Sequence, residues 1–343
     1  MRSKIKRKLR VIVLVQTGLI PPDSLDGVEK KEKELWRTEY DVVSTLREMG
    51  HEVWPIEVRD DLGVIREAIE ERQPHVAFNL LEEFDSYPLF DQHVVSYLEL
   101  KKQKYTGCNP LGLTLTHDKT LTKKILAYHR IHVPRFALFR LGRKVRRPTR
   151  LRFPLFVKSV SDEGSVGIAQ ASIVRDDEKL QERVEFIHRQ NQTPALAEEY
   201  IEGREIYVGV IGNENLQAYT PWELVMNNLP EGAQNIATGK AKWDIEYQKR
   251  IGLATQPAKL DSQLIKEFQR LSKRIYRILG LSGYARIDYR FTQDGRMYVL
   301  EVNPNPQIAH NEDFADSAQH CGVKYRALLQ KLMTLGMSYD PMR

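Results

Sequence analysis

The sequence predicts an α/β protein that continues into α+β structure, and three observations carry that prediction. Residues 1–115 alternate short apolar runs with amphipathic stretches, the pattern of a parallel sheet with crossover helices. Residues 116–205 mix short strands with two helical stretches, a small α+β unit. Residues 206–343 contain a long amphipathic helix followed by YARIDYRFTQDGRMYVLEVNPNP, Tyr284 to Pro306, which reads as a β-hairpin.

The elements follow in order. Val11–Val15 is a buried strand, and Glu34–Met49 is a helix with apolar positions at Leu35, Trp36, Tyr40, Val43, Leu46 and Met49, stopped by Gly50. Val53–Val58, the helix Leu62–Arg72, the strand Val76–Asn79 and the helix Gln92–Lys101 complete the first unit. A helix from Thr116-His117-Asp118-Lys119 to about Arg130 opens the second. Strands at Phe136–Phe139, Leu155–Ser159 and Ile168–Ala171, a helix at Asp177–Gln190 and an edge strand at Ala195–Ile201 follow. In the third, Ser262–Gly280 is helical, with Leu264, Ile265, Phe268, Leu271, Ile275 and Ile278 on one face.

The hairpin holds the most chemistry. Asp294-Gly295 favours a two-residue type I′ turn. With that register Asp288 lies opposite Glu301 and Arg286 opposite Asn303, all four on one face. Ala285, Ile287, Tyr289, Phe291, Tyr298, Leu300 and Val302 form the opposite, core face. Opposed carboxylates about 5 Å apart repel unless a cation sits between them. Two carboxylates and an amide oxygen suit Mg²⁺, with Mn²⁺ as the alternative, and Mg²⁺ usually accompanies phosphates. The competing reading is a surface hairpin whose carboxylates pair with Arg286, Arg290 and Arg296.

Composition narrows the class. The chain has 343 residues, is 41% hydrophobic and 29% charged, and so has the balance of a globular protein. No apolar run approaches the ~20 residues needed to span a bilayer. Two cysteines make no disulfide framework, and a cytoplasmic location is expected. The net charge of +6 concentrates in Arg2 to Arg10 and Arg140 to Arg152. These clusters lack interleaved aromatics, so a solvated basic face or attraction of anionic substrates is expected rather than a nucleic-acid surface. The nine histidines form no zinc pattern, and no GxGxxG, GxSxG or GxxxxGK[ST] occurs.

Weaker signals surround the hairpin. Lys158 ends an apolar strand and precedes Ser161-Asp162-Glu163-Gly164-Ser165-Val166-Gly167, which is either a phosphate-cradling loop or an ordinary turn. The strand Ala195–Ile201 runs into Glu202-Gly203-Arg204-Glu205, and either reads an adenine edge with a carboxylate for ribose or is a plain surface strand. Lys119 and Lys242, taken singly, read as surface lysines.

Six blocks in order, YTGCNPLGLTLTHDKTLTKKIL, PLFVKSVSDEGSVGI, LAEEYIEGREIYVGVIG, AKW, ARIDYR and LEVNPNP, resemble the ATP-grasp superfamily, most closely its D-alanine–D-alanine ligase branch. The resemblance covers residues 105–306 and, more loosely, the first unit. It implies a three-domain ATP-grasp fold with divisions at 1–115, 116–205 and 206–343, and nucleotide held between the central and C-terminal domains. It implies that Lys119, Lys158 and Lys242 contact ATP phosphates, and that Gly164, Ser165, Val166 and Gly167 form the closing loop. Glu198, Tyr200 and Ile201 would hold adenine, and Glu205 the ribose. Asp288, Glu301 and Asn303 would bind Mg²⁺, with Arg286, Lys242 and Ser165 acting in catalysis. The implied reaction joins a small carboxylate to an amine through an acyl phosphate, releasing ADP and phosphate. Neither nucleic acid nor membrane is expected as a partner, and the family suggests a homodimer.

The amino-acid half departs from that family. The first-domain stretch reads Phe78-Asn79-Leu80-Leu81-Glu82-Glu83-Phe84-Asp85, without the His-Gly…Gly-Glu-Asp-Gly block. The family's early glutamate has no counterpart near Lys31–Lys33, and its Ser-Ser loop pair reads Gly164-Ser165. The stretch binding the acceptor carboxylate reads Gln307-Ile308-Ala309-His310-Asn311-Glu312, whose acid would favour an amine. By position Trp222, Glu223, Trp243 and His310 either line the acceptor side or are core and surface packing. The expected function is a carboxylate–amine ligase acting on an amino acid, peptide or related metabolite. The alternatives are D-alanine–D-alanine ligase itself and a nucleotide-binding protein without turnover.

Overall fold

Three sheets organise the chain, and the second has a hydrophobic core of its own. The computed structural model describes residues 8–160, 168–230, 236 and 238–342, without the side chains of residues 30, 31, 242 and 243. The first sheet is parallel, in the order β2-β1-β3, with β1 at Arg10–Gln16, β2 at Glu52–Val58 and β3 at Val76–Asn79. Val11 to Val15 are fully buried, because the central strand of a parallel sheet is covered on both faces. The helices of this unit are α1 (Lys30–Leu35), α2 (Arg37–Glu48), α3 (Gly63–Arg72) and α4 (Asp91–Leu100). The single helix expected over Glu34–Met49 is two helices parted at Trp36, whose indole N–H donates to the Gly18 carbonyl at 3.0 Å.

Two consecutive helices lead into the second unit. The sequence reading began at Thr116 and missed α5 (Pro110–His117), in which Gly112, Thr114 and Thr116 lower the helix propensity. Its start is set instead by Asn109, which caps Gly112, and by Pro110 at the first helical position. Asp118 then caps α6 (Lys119–Tyr128) through the Thr120 and Leu121 amides.

The second sheet has the order β4-β7-β5-β6 and is antiparallel throughout, with α7 (Asp177–Asn191) packed against it. Its strands are β4 (Phe136–Phe139), β5 (Leu155–Ser159), β6 (Ile173–Val174) and β7 (Ala195–Glu199). The strand expected over Ile168–Ala171 lies later, at β6, after a 3₁₀ turn over Gln170–Ser172. The expected edge strand is internal: β7 pairs with β4 on one side and β5 on the other. Ala195, Leu196 and Ala197 are all fully buried, as an internal strand covered on both faces requires. Tyr200 and Ile201 lie beyond its end, with the Tyr200 amide donating to the Pro154 carbonyl at 2.9 Å.

The third sheet runs β11-β10-β8-β12-β13, with the short β9 (Gln217–Ala218) beside β8. Its members are β8 (Arg204–Ile211), β10 (Trp222–Met226), β11 (Leu253–Pro257), β12 (Tyr284–Phe291) and β13 (Met297–Pro304). Between β10 and β11 lie α8 (Gly239–Trp243) and α9 (Ile245–Ile251). The long helix α10 (Ser262–Ile278) buries Phe268, Ser272, Ile275 and Tyr276 beneath the sheet. The chain ends in α11 (Asp313–His320) and α12 (Tyr325–Ser338). Gly283, at φ +68°, brings the strand entry against the first unit. A Cβ there would stand 2.2 Å from the Gly107 carbonyl oxygen, so no other residue fits.

The hairpin departs from its expected turn, yet keeps the expected face. Its loop has three residues, with the Thr292 amide bonded to the Arg296 carbonyl and Gly295 left-handed at φ +82°. That displaces the register near the turn, where Phe291 faces Met297 and Tyr289 faces Val299. A bulge between Asp288 and Tyr289 then restores Asp288 opposite Glu301 and Arg286 opposite Asn303. The bulge also changes which residues face inward. Val299 joins the core, while Tyr298 and Leu300, expected there, are only partly buried.

Candidate active site

Two sheets and one helix converge on a cluster of opposite charges. On α6, Lys119 and Lys123 are four residues apart and so share a face. Lys119 Nζ lies 3.1 Å from Glu301 Oε1, and Lys123 Nζ lies 3.0 Å from Glu198 Oε1. Lys158, at the end of β5, reaches the other oxygen of Glu198 at 3.3 Å. Lys123 also donates to the Leu300 carbonyl at 2.6 Å, on the strand that bulges. Three lysines therefore face two carboxylates, Glu198 and Glu301, leaving one positive charge over.

The electrostatics follow from that arrangement. Burial alone would raise the Glu198 carboxyl, but Lys123 and Lys158 hold it below its ordinary range. Burial opposes ionisation of Glu301 too, and Lys119 and Lys158 bring it down to about 2. Lys158 is disfavoured as a cation by burial, yet Glu198 and Glu301 raise it above the ordinary lysine value.

Beside this cluster, the hairpin face carries a second network. Arg286 makes a two-pronged contact with Asp288, Nε to Oδ1 at 2.8 Å and Nη2 to Oδ2 at 2.9 Å. Asn303 Nδ2 donates to Asp288 Oδ2 at 2.8 Å. The guanidinium stacks 4.4 Å from the Tyr207 ring centroid and stands 3.6 Å from Asp313. Burial pushes the Asp288 carboxyl up to about 6, Arg286 draws it down in part, and the charges of Glu301 and Glu205 raise it again. Glu205, two residues before Tyr207 on β8, accepts from the Tyr207 hydroxyl at 2.8 Å and from Arg290 at 2.9 Å.

Each expected residue can now be placed. Lys119, Lys158, Glu198 and Glu301 meet in one cluster, and Arg286, Asp288 and Asn303 meet on the adjoining hairpin face. Of the arginine pairings in the competing hairpin reading, Asp288 keeps Arg286, while Glu301 pairs with Lys119 of a distant helix rather than with a hairpin arginine. The Glu198 side chain points to the two lysines, and beyond it the Glu199 and Tyr200 amides donate to the Arg135 and Pro154 carbonyls. Both Glu205 oxygens are engaged by protein groups. Gly164, Ser165, Val166 and Gly167 lie outside the described residues. Lys242 falls within α8, its side chain likewise undescribed. Lys123, Tyr207 and Asp313 were missed, and Arg290, offered as a partner for a hairpin carboxylate, pairs with Glu205 instead. Lys123 had a usable signal in its four-residue spacing from Lys119, and Tyr207 in its alternation with Glu205.

Similarity to known proteins agrees with this geometry. The family model for the D-ala D-ala ligase C-terminus matches residues 125–334. The chain belongs to the D-alanine–D-alanine ligase family. It is therefore an ATP-grasp carboxylate–amine ligase, an enzyme that forms amide bonds at the expense of ATP. It is 31% identical over 297 residues to the uncharacterized protein y4sG of Sinorhizobium fredii, covering 85% of each chain. It is 27% identical over 327 residues to the D-alanine–D-alanine ligase of Aquifex aeolicus, covering 95% of this chain and 100% of that one. The D-alanine–D-alanine ligase of Bacillus anthracis, solved in complex with ATP, superposes with a TM-score of 0.74 at 22% identity, over 96% of this chain and 97% of that one. The VanG D-Ala:D-Ser ligase of Enterococcus faecalis gives 0.71 at 18% identity, over 96% and 100%. The three-sheet ATP-grasp architecture is thus shared with this ligase family.

Around the residues expected to face the acceptor, the network differs from the sequence expectation. Glu312 is not a free acid, because Arg37 of α2 pairs with it at 3.1 Å. Arg37 also donates to the His310 carbonyl, and the His310 amide donates to Asp41 at 2.8 Å. The His310 ring lies 3.8 Å from that of Tyr325. Trp222 is buried with Tyr207 and Leu224, and Glu223 is gripped by both prongs of Arg204 at 2.7 Å. The Trp243 side chain lies outside the described residues.

Proposed function

We propose that the lysine–carboxylate cluster receives the phosphates of ATP and that the adjoining hairpin face activates a small carboxylate for attack by an amine. The observation that carries this is the convergence of Lys119, Lys123 and Lys158 beside the Arg286–Asp288–Asn303 face. Cations held by internal carboxylates are already oriented, so an incoming triphosphate meets a preorganised site.

In this reading the substrate carboxylate attacks the γ-phosphorus, and the bond to the β-phosphate oxygen breaks to release ADP. The amine then attacks the acyl phosphate and expels inorganic phosphate. Lys119, Lys158 and Lys242 bind the phosphates, and Lys123 keeps Glu198 and the bulged strand in place. Ser165 and the glycine loop, Gly164 to Gly167, close over them and exclude water, which would hydrolyse the intermediate. Tyr200 and Ile201 offer backbone groups to adenine. Arg286 faces the charge developing on the carboxylate and on the tetrahedral species.

Asp288, Glu301 and Asn303 fit Mg²⁺. Their donors are hard oxygens, and the Asp288 carboxyl is raised first by burial and then by the nearby charges of Glu301 and Glu205, a charge burden that a divalent cation relieves. Such a cation would offset charge on the transferring phosphoryl group. The substrates are a small-molecule carboxylate and an amine, and the divisions at 1–115, 116–205 and 206–343 are the working domains. The test is ADP formation with Mg²⁺ across mixed amino acids and small peptides. Substrate-dependent ADP that Glu301→Gln loses is the expected result, and ATP binding without turnover in any mixture would defeat the ligase assignment.

A further inference from the structure

The outer face of α10 carries positive charge that the rest of the chain does not answer. Lys266, Arg270, Arg274 and Arg277 are exposed along it, and Lys273 stands half-buried among them. Spacings of three and four residues put all five on one side of the helix, in a stripe about 16 Å long. Among the described residues none of the five forms an ion pair with a carboxylate. The helix holds one acid, Glu267, which accepts from the Gln263 amide at 2.7 Å. The opposite face, with Phe268, Ile275 and Tyr276, is buried beneath the third sheet, so the stripe points outward.

An exposed aromatic adjoins the stripe. Arg274 Nη2 donates to the His129 carbonyl at 2.8 Å, which holds the C-terminal end of α6 against the middle of α10. There Tyr128 is 84% exposed, its ring 5.3 Å from that of His129, and the exposed Arg130 follows. The inner face of α6 carries Lys119 and Lys123 into the lysine cluster, so this outer surface is separate from the phosphate site.

Folding alone does not account for such a stripe. Lys266 with Arg270, Arg270 with Arg274, and Lys273 with Arg277 are like charges four residues apart, a spacing that destabilises a helix. The helix dipole favours cations in the last turn, where Arg277 stands, and leaves Lys266 and Arg270 unexplained. A polyanion laid along the helix relieves all of these repulsions together. An acidic peptide answers the cations and offers nothing to the ring. Single-stranded nucleic acid brings phosphates for a basic track and bases that stack on exposed aromatics. The expectation of no nucleic-acid partner rested on the contiguous runs Arg2 to Arg10 and Arg140 to Arg152, which lack aromatics. The α10 stripe is interleaved with core residues in the sequence, and only the fold sets Tyr128 beside it.

We propose that α10 and the C-terminal end of α6 bind single-stranded nucleic acid, with phosphates along Lys266 to Arg277 and a base stacked on Tyr128. The probe is fluorescein-labelled oligodeoxythymidylate of about twelve nucleotides, followed by fluorescence anisotropy on the full chain between about 50 and 200 mM salt. Five phosphate contacts predict a log–log salt slope of about −3.5. The double variant Lys266→Glu, Arg270→Glu should bind about tenfold or more weakly, with the slope reduced to about −2. Tyr128→Ala should bind about tenfold more weakly at an unchanged slope, because a stacked base carries no counterion release. Arg143→Ala with Arg146→Ala should bind like the wild type, which separates this surface from the 140–152 run. All variants should keep wild-type ADP formation, which shows that they are folded. Saturating ATP should leave oligonucleotide binding unchanged. No binding by the wild type, full binding by the double variant, or displacement by ATP overturns the proposal, as does binding of phosphatidylglycerol vesicles in place of the oligonucleotide.

Discussion

Replacing Glu198 by glutamine removes the anion that two buried lysines share, at 3.0 Å from Lys123 and 3.3 Å from Lys158. Losing one member of a buried ion pair costs about 3–5 kcal/mol, because the remaining charge stays desolvated. Here Lys123 keeps its bond to the Leu300 carbonyl, and Glu301 still acts on both lysines, so about 3 kcal/mol is expected. At roughly 2–4 °C per kcal/mol, the melting temperature should fall by about 6–12 °C. Saturating ATP should then stabilise the variant more than the wild type, since its phosphates replace the missing anion. The assay is denaturant unfolding with and without ATP, extended to Lys123→Met and the double variant. Lys123→Met alone leaves Glu198 short of one cation and the Leu300 carbonyl unbonded. The double variant should therefore be more stable than the sum of the two losses predicts. A Glu198→Gln protein within about 0.5 kcal/mol of wild type, or strictly additive losses, would refute the reasoning.

Three further outcomes follow from the same geometry. The Glu301 carboxyl is depressed from 4.5 to about 2, so its stabilisation is fully present above pH 4.5 and lost as pH falls towards 2. It amounts to about 3 kcal/mol, and Glu301→Gln should flatten that acid limb in urea midpoints measured across the range. The Asp288 carboxyl is raised from 3.8 to about 6, so the folded state binds its proton more tightly than the unfolded chain. Stability from this group therefore declines as pH rises through that window, while Mg²⁺–nucleotide affinity climbs between pH 5 and 7. Asp288→Asn should remove both trends in titrations. Arg286→Lys loses the two-pronged contact with Asp288 and the stacking on Tyr207. ADP formation should fall about a hundredfold or more in steady-state assays, with ATP affinity little changed.

The hairpin shows how a sequence argument can reach a correct site through an incorrect turn. Asp294-Gly295 predicted a two-residue loop, and the loop has three residues with Gly295 left-handed. The bulge at Leu300 cancels the displacement before the strand reaches Asp288, so the pairing of Asp288 with Glu301 stands. Neither irregularity has a local sequence signal strong enough to read. Each is imposed by what the strand packs against: Val299 enters the core, and the Leu300 carbonyl accepts from Lys123. The misplaced edge strand has a similar origin. Ala-Leu-Ala looks weakly apolar, and only the positions of β4 and β5 on either side make β7 internal.

By itself, the sequence determined the alternating layout of the first unit, the ligase family through its six blocks, and the face on which Arg286, Asp288, Glu301 and Asn303 stand. These follow from local rules, in which strand alternation and block spacing act within a few tens of residues. Only the tertiary structure decided which lysine meets which carboxylate. Lys119 and Lys123 come from α6, Lys158 and Glu198 from the second sheet, and Glu301 from the third. The same holds for the pairing of Arg37 with Glu312 and of Arg274 with the His129 carbonyl. Charge interactions depend on distance and burial in space, and residues tens to hundreds of positions apart carry no trace of either in their order along the chain.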